Sequence, residues 1–258
     1  MKNMQTILFE KKTGIGVITL NRPEVHNAIS IELVDELSQL LEQCRTDEQV
    51  KVLILTGAGK SFVSGGDLPQ FIAARGREQA ELLLGKVASM LSMMSHYNKP
   101  IIAMINGSAV GGGCEVAGAA HFRFASEKAV FGFIQIGMHI TTGWGGGTRL
   151  LDLLPTSKAL ALLLTGERIT AEEAKSSGFV DEVYPEDRLR EEVERFALKI
   201  AAQPLAGIEA YMNILKWKRE GLDQEERIKR EVAQCAGLWG SEEHRYVVDQ
   251  FLSKGKKG

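Results

Sequence analysis

Gly111-Gly112-Gly113-Cys114-Glu115 sets three glycines and a cysteine ahead of a carboxylate. The segment follows an apolar run, Ile101-Ile102-Ala103-Met104-Ile105, and opens a small-residue stretch, Val116-Ala117-Gly118-Ala119-Ala120, so it reads as a strand-to-helix junction. Glycines at such a junction let the backbone approach a ligand closely, and a helix N-terminus turns unpaired N–H groups outward. Glu115 falls in the first helical turn, where the positive end of the helix dipole favours a carboxylate. Donors for a developing negative charge thus lie beside a group able to move a proton, the combination that enolate chemistry requires. The same residues would also serve a tight packing turn whose Glu merely complements the dipole.

A second segment has the same design. Val52-Leu53-Ile54-Leu55-Thr56 reads as a buried strand and leads through Gly57-Ala58-Gly59-Lys60 into Ser61-Phe62-Val63-Ser64-Gly65-Gly66-Asp67-Leu68. Gly65-Gly66 permits another exposed N–H, and Asp67 is a good N-cap for a short following helix. Two such strand-loop-helix units can converge on one carbonyl oxygen.

Taken together, these segments resemble the crotonase family, also called the enoyl-CoA hydratase/isomerase family. Leu20-Asn21-Arg22-Pro23-Glu24-Val25-His26-Asn27-Ala28 is similar to the family's Asn-Arg-Pro followed by Asn-Ala, and Asn106–Glu115 to its central signature. Thr165–Ala174 and Gly178-Phe179-Val180-Asp181 are similar to later family elements, so the resemblance runs over nearly the whole chain. It implies that the N–H groups of Gly66 and Gly112 bind a thioester oxygen and that Glu115 is the first of two glutamates used by family hydratases. It implies further that Val25, Asp67, Leu68 and Pro69 line the path of the substrate's coenzyme A portion.

The second glutamate is missing. Family hydratases carry Phe-Gly-x-Pro-Glu, whereas this chain has Phe131-Gly132-Phe133-Ile134-Gln135, and Gln135 cannot exchange a proton at neutral pH. The loop that follows is altered too, to Met138-His139-Ile140-Thr141-Thr142-Gly143. Gly143-Trp144-Gly145-Gly146-Gly147-Thr148-Arg149-Leu150 resembles a segment of the family's ethylmalonyl-CoA decarboxylases. Three readings stand: an enoyl-CoA hydratase-type lyase using Glu115, a decarboxylase of a malonyl-type thioester, and an acyl-CoA-binding protein without catalysis. Trp144 either narrows an acyl pocket or fills core. His139 either meets substrate or is structural.

Composition bounds the rest. A chain of 258 residues with 44% hydrophobic content can build a sizeable core, and a net charge of −2 provides no electrostatic basis for nucleic-acid binding. Cys44, Cys114 and Cys235 are scattered and odd in number, without disulfide or metal spacing, which points to a reducing, cytoplasmic setting. Cys114, beside Glu115, reads as a small buried thiol. No run has the length and apolarity of a membrane span, and the N-terminus lacks a signal-peptide pattern. Neither a metal cluster nor a dinucleotide fingerprint is present, so coenzyme A enters as part of an acyl-CoA substrate and no cofactor is expected.

These residues must be positioned by an α/β body. Ile7–Glu10 and Gly16–Leu20 flank Thr13-Gly14 as an antiparallel pair. Ser30 caps a helix whose Leu33, Leu37, Leu40 and Leu41 share one face. Further strands are expected at Val52–Thr56, Ile101–Ile105, Phe122–Ala125 and Val180–Tyr184, alternating with helices. Residues 1–185 form this core, which the resemblance makes a crotonase-like spiral of ββα units, and 186–258 a C-terminal helical region. Phe71–Lys99 reads as a lid and adjoining helix, with Met90, Leu91, Met93 and Met94 either in an acyl pocket or in core. Trp217, Trp239 and Phe251 add more apolar surface than the helical region can bury alone. By resemblance that region packs into homotrimers or hexamers and covers the acyl-CoA. Lys254–Gly258 reads as a solvated tail, from which Lys254 could reach a phosphate.

Overall fold

The computed structural model describes residues 4–255, with side chains to Ser253. The Lys254 side chain and residues 256–258 of the expected tail lie outside the described residues. In chain order the strands are β1 (Ile7–Lys12), β2 (Ile15–Leu20), β3 (Val52–Gly57), β4 (Ser61–Val63), β5 (Ile101–Ile105), β6 (Ser108–Val110), β7 (Phe122–Ser126), β8 (Val130–Gly132), β9 (Arg168–Thr170) and β10 (Glu182–Tyr184). The helices of the first part are α1 (Ile31–Thr46), α2 (Leu68–Ala73), α3 (Arg77–Ser95), α4 (Gly112–Ala119), α5 (Gly146–Leu153), α6 (Thr156–Thr165), α7 (Ala171–Ser177) and α8 (Leu189–Ala201).

One sheet has the order β1-β2-β3-β5-β7-β10 and a second has β4-β6-β8-β9. β1 and β2 pair antiparallel, while β2, β3, β5, β7 and β10 run parallel. The pairs β3/β4, β5/β6 and β7/β8 each send their first strand to the large sheet and their second to the small one, then lead into helix. This is the expected spiral of ββα units. The last strand is shorter than expected, beginning at Glu182, because the Val180 N–H is taken by the Ala174 carbonyl in the turn after α7.

Parallel strands covered on both faces read as unbroken apolar runs, as β3 and β5 do. Their side chains still alternate. Leu53, Leu55, Ile101, Ala103 and Ile105 join one core with the capped face of α1, and with Val87, Met90, Leu91 and Met94 of α3. Val52, Ile54, Ile102 and Met104 join another with Leu189, Val193, Ala197 and Ala201 of α8. The chain accordingly divides into compact units at Met1–Ala202 and Gln203–Gly258. The expected change at residue 186 marks where strand–helix alternation stops. α8 nevertheless stays with the first unit, because its apolar stripe covers the sheet's second face.

Arg123 anchors the end of the spiral from a buried position: its Nε donates to the Phe179 carbonyl at 2.6 Å and a terminal nitrogen to the Ala120 carbonyl at 2.8 Å. In the second unit, α9 (Leu205–Arg219), capped at Pro204, is tied to α10 (Gln224–Trp239) by Asn213 donating to Gln234 at 2.8 Å; α11 (Glu242–Gly255) follows. Trp217 is half-buried, whereas Trp239 and Phe251 are exposed. No helix among the described residues is long and apolar enough to cross a membrane.

Candidate active site

A cavity of about 980 Å³ opens where the loops after β4, β6 and β8 meet. Val25, Gly66, Asp67, Leu68, Pro69, Gly112, Glu115, Gln135, His139 and Trp144 all line it, so the residues expected around the thioester and along the coenzyme A path reach one place. Val25, Leu68, Pro69 and His139 are exposed, while Glu115, Gln135 and Trp144 are buried. Met90, Leu91, Met93 and Met94 do not line it; they pack in or against the core. The wall on that side comes instead from Phe71 of α2 and Leu84 of α3.

The first glycine loop is held from several directions. Ile29 and Gly66 form a parallel bridge, in which the Ile29 N–H donates to the Gly65 carbonyl at 2.8 Å and the Asp67 N–H to the Ile29 carbonyl at 2.9 Å. Bonds that flank a residue in this way turn its own N–H to the opposite side, so the Gly66 N–H faces away from Ile29. Asp67 caps α2 and accepts from Arg22 at 2.7 Å, and Arg22 also donates to the Ala28 carbonyl at 2.6 Å. The Asp67 carboxylate is therefore part of the loop's frame. Asn27 donates to the Ala58 and Ser61 carbonyls, which makes the Asn-Arg-Pro and Asn-Ala residues the tie between this loop and β2.

Gly112 begins α4, so its N–H has no acceptor within the helix. Gly111 before it has φ 57°, in the left-handed region. A Cβ on Gly65 would sit 3.7 Å from the Gly112 nitrogen, which brings the two glycine loops side by side. A Cβ on Gly112 would lie 2.8 Å from Trp144 Cε3 and closer still to Cζ3 and Cη2, so the indole occupies the space that glycine leaves.

Glu115 is 2% exposed and held by three donors. Its Oε2 accepts from the Trp144 N–H at 2.9 Å and from the Gly146 N–H at 2.8 Å, and its Oε1 from Gln135 Nε2 at 3.1 Å. Gly146 opens α5, so the carboxylate meets the positive end of a second helix as well as its own. Arg149 of α5 donates to the Trp144 carbonyl. Burial pushes the Glu115 carboxyl above its ordinary range, against the opposing pull of the Gly146, Trp144 and Gln135 hydrogen bonds and the Arg149 charge. A buried carboxylate with raised proton affinity is suited to taking and returning a proton.

Gln135 orients its amide by donating to Glu115, and its own Oε1 is buried without a partner. Cys114 packs inward, donating to the Ala109 carbonyl at 2.9 Å, with its thiol pushed by burial up to about 12. His139 closes a short 3-10 turn in a left-handed conformation at the cavity mouth. Sequence reasoning missed Gly146 and Phe71. The signal for Gly146 was present: a glycine triplet opening a helix, as at Gly111–Gly113.

The enoyl-CoA hydratase/isomerase family model matches residues 10–257. A probable enoyl-CoA hydratase of Bacillus subtilis (strain 168) is 32% identical over 94% of this chain and 93% of its own. The 2,3-dehydroadipyl-CoA hydratase of Escherichia coli (strain K12) is 30% identical over 97% of each chain. The crystal structure of an enoyl-CoA hydratase from Bacillus anthracis superposes with a TM-score of 0.90 at 32% identity, covering 97% of both chains. The α/β spiral, the two glycine loops brought to one cavity and these likenesses agree: the chain belongs to the enoyl-CoA hydratase/isomerase family and is a crotonase-family enzyme.

Proposed function

We propose that the enzyme adds water across the double bond of a 2-enoyl thioester of coenzyme A, with Glu115 as the single proton-transferring carboxylate. The observation that carries this reading is the placement of Glu115, buried in the cavity wall beside Gly112 and fixed by three donors. The thioester oxygen binds to the N–H groups of Gly66 and Gly112. Glu115 takes a proton from water as the water oxygen attacks C3, and the electron pair of the double bond moves toward the thioester as an enolate. Glu115 then returns the proton to C2, so one carboxylate serves as base and then as acid. The oxyanion donors supply stabilisation of about 3–4 kcal/mol each. Val25, Leu68 and Pro69 border the coenzyme A portion, and the exposed Trp239 and Phe251 serve subunit contacts in a homotrimer or hexamer.

Gln135 favours a second reading. Decarboxylation of a malonyl-type thioester needs the same enolate stabilisation and no base to remove a proton, so an amide in place of a second carboxylate is no handicap. Loss of enone absorbance on adding crotonyl-CoA, with 3-hydroxybutyryl-CoA identified by mass, tests the first. Glu115→Gln is expected to lower that rate by about 10² to 10⁴. Unchanged turnover in the folded variant would end the role of Glu115. Inert crotonyl-CoA, with carbon dioxide released from a malonyl-type thioester, would establish the second.

A further inference from the structure

The two glycines that flank the cavity each lie against an aromatic ring. The Trp144 indole fills the space over Gly112, and the Phe71 ring lies 3.2 Å from where a Cβ on Gly66 would be. The rings meet each other at 5.9 Å between centroids, tilted by 56°. Leu84 completes the surface, with its Cδ2 3.0 Å from a Cβ position on Gly143. Trp144 is also fixed through its backbone: its N–H donates to Glu115, and its carbonyl accepts from Arg149. At 4% exposure it belongs to the main core. A wall so anchored does not swing aside for a ligand without breaking contacts on three sides.

We infer that Trp144, Phe71 and Leu84 form a fixed wall at the thioester end of the cavity that restricts the enzyme to short acyl groups. The inference rests on the acyl-CoA reading above. A thioester oxygen bound at Gly66 and Gly112 shares the cavity with the two rings, so its acyl chain starts near them. A chain that must extend past a core-packed indole meets side chains with no solvent to displace, and each excluded methylene costs about tenfold in affinity.

Saturated thioesters test this without any turnover, so failure of the hydration reading leaves the result interpretable. Butyryl-CoA and decanoyl-CoA are titrated calorimetrically into the full-length protein. The wild type is expected to bind butyryl-CoA at least as tightly as decanoyl-CoA. Trp144→Ala is expected to shift the affinity ratio toward decanoyl-CoA by about tenfold or more. Phe71→Ala, on a different helix, gives a shift in the same direction and decides the matter if the first variant does not fold. Unchanged ratios in folded variants, or a wild type that prefers decanoyl-CoA, would overturn the inference. If neither thioester binds, the acyl-CoA reading falls and takes the inference with it. If butyryl-CoA binds but crotonyl-CoA is not hydrated, only the reaction assignment fails.

Discussion

Gln135→Glu turns the contact at the centre of the site from attraction to repulsion. Gln135 Nε2 now donates to Glu115 Oε1 at 3.1 Å; the variant sets an oxygen against an oxygen in a buried position. With charge centres about 4 Å apart and an effective dielectric constant of about 20, two ionised carboxylates repel by about 4 kcal/mol, roughly a thousandfold in proton affinity. The pair then titrates as a unit and holds one proton well above the ordinary carboxylate range. In the unfolded chain both groups ionise at ordinary values, so in that window the native state binds more protons and stability falls as pH rises. In urea unfolding the variant should trail the wild type by about 1 kcal/mol at pH 5 and about 4 kcal/mol at pH 8. A gap independent of pH would refute the contact on which the reasoning depends. The same variant should hydrate crotonyl-CoA faster if the missing carboxylate limits the reaction. A folded variant without that gain would show that the altered loop carrying His139 limits it instead.

Glu115→Gln removes a buried charge whose proton affinity is raised by burial, so its stability relative to the wild type should climb as pH rises above the ordinary carboxylate range; thermal melts from pH 5 to 8 that show the opposite slope would contradict it. Gly146→Ala places a methyl 2.7 Å from Glu115 Oε2 and should displace the carboxylate, lowering turnover about a hundredfold with the fold intact, measured by steady-state kinetics beside circular dichroism. Arg123→Met leaves the Phe179 and Ala120 carbonyls buried without that donor, and urea unfolding should show a loss of about 3 kcal/mol; a neutral result would mean that water replaces the guanidinium.

Much of the fold was legible because its causes are local. The leucines of α1 sit at helical spacing behind a capping serine, and Ser30 does accept from the Leu33 N–H. The apolar runs of β3 and β5 are bounded by turn residues, and glycines mark the two loops that converge. The core face of each strand residue was not legible, because strands buried on both sides carry no polar alternation. Nor does local pattern show that α8, which follows the last strand as the later helices do, packs on the sheet.

The sequence alone marked the candidates for chemistry: a carboxylate in the first turn of a glycine-led helix, a second glycine loop, and the amide of Gln135. Those are properties of residue type and short spacing, and they survive without coordinates. Only the tertiary structure decided what surrounds them. Gly146, Trp144 and Gln135 hold Glu115 from positions 31, 29 and 20 residues away, and Phe71 meets Trp144 in the cavity wall. Nothing in local spacing encodes such contacts. They exist because successive turns of the spiral stack their loops at one end, where a helix terminus from one turn meets a carboxylate from another.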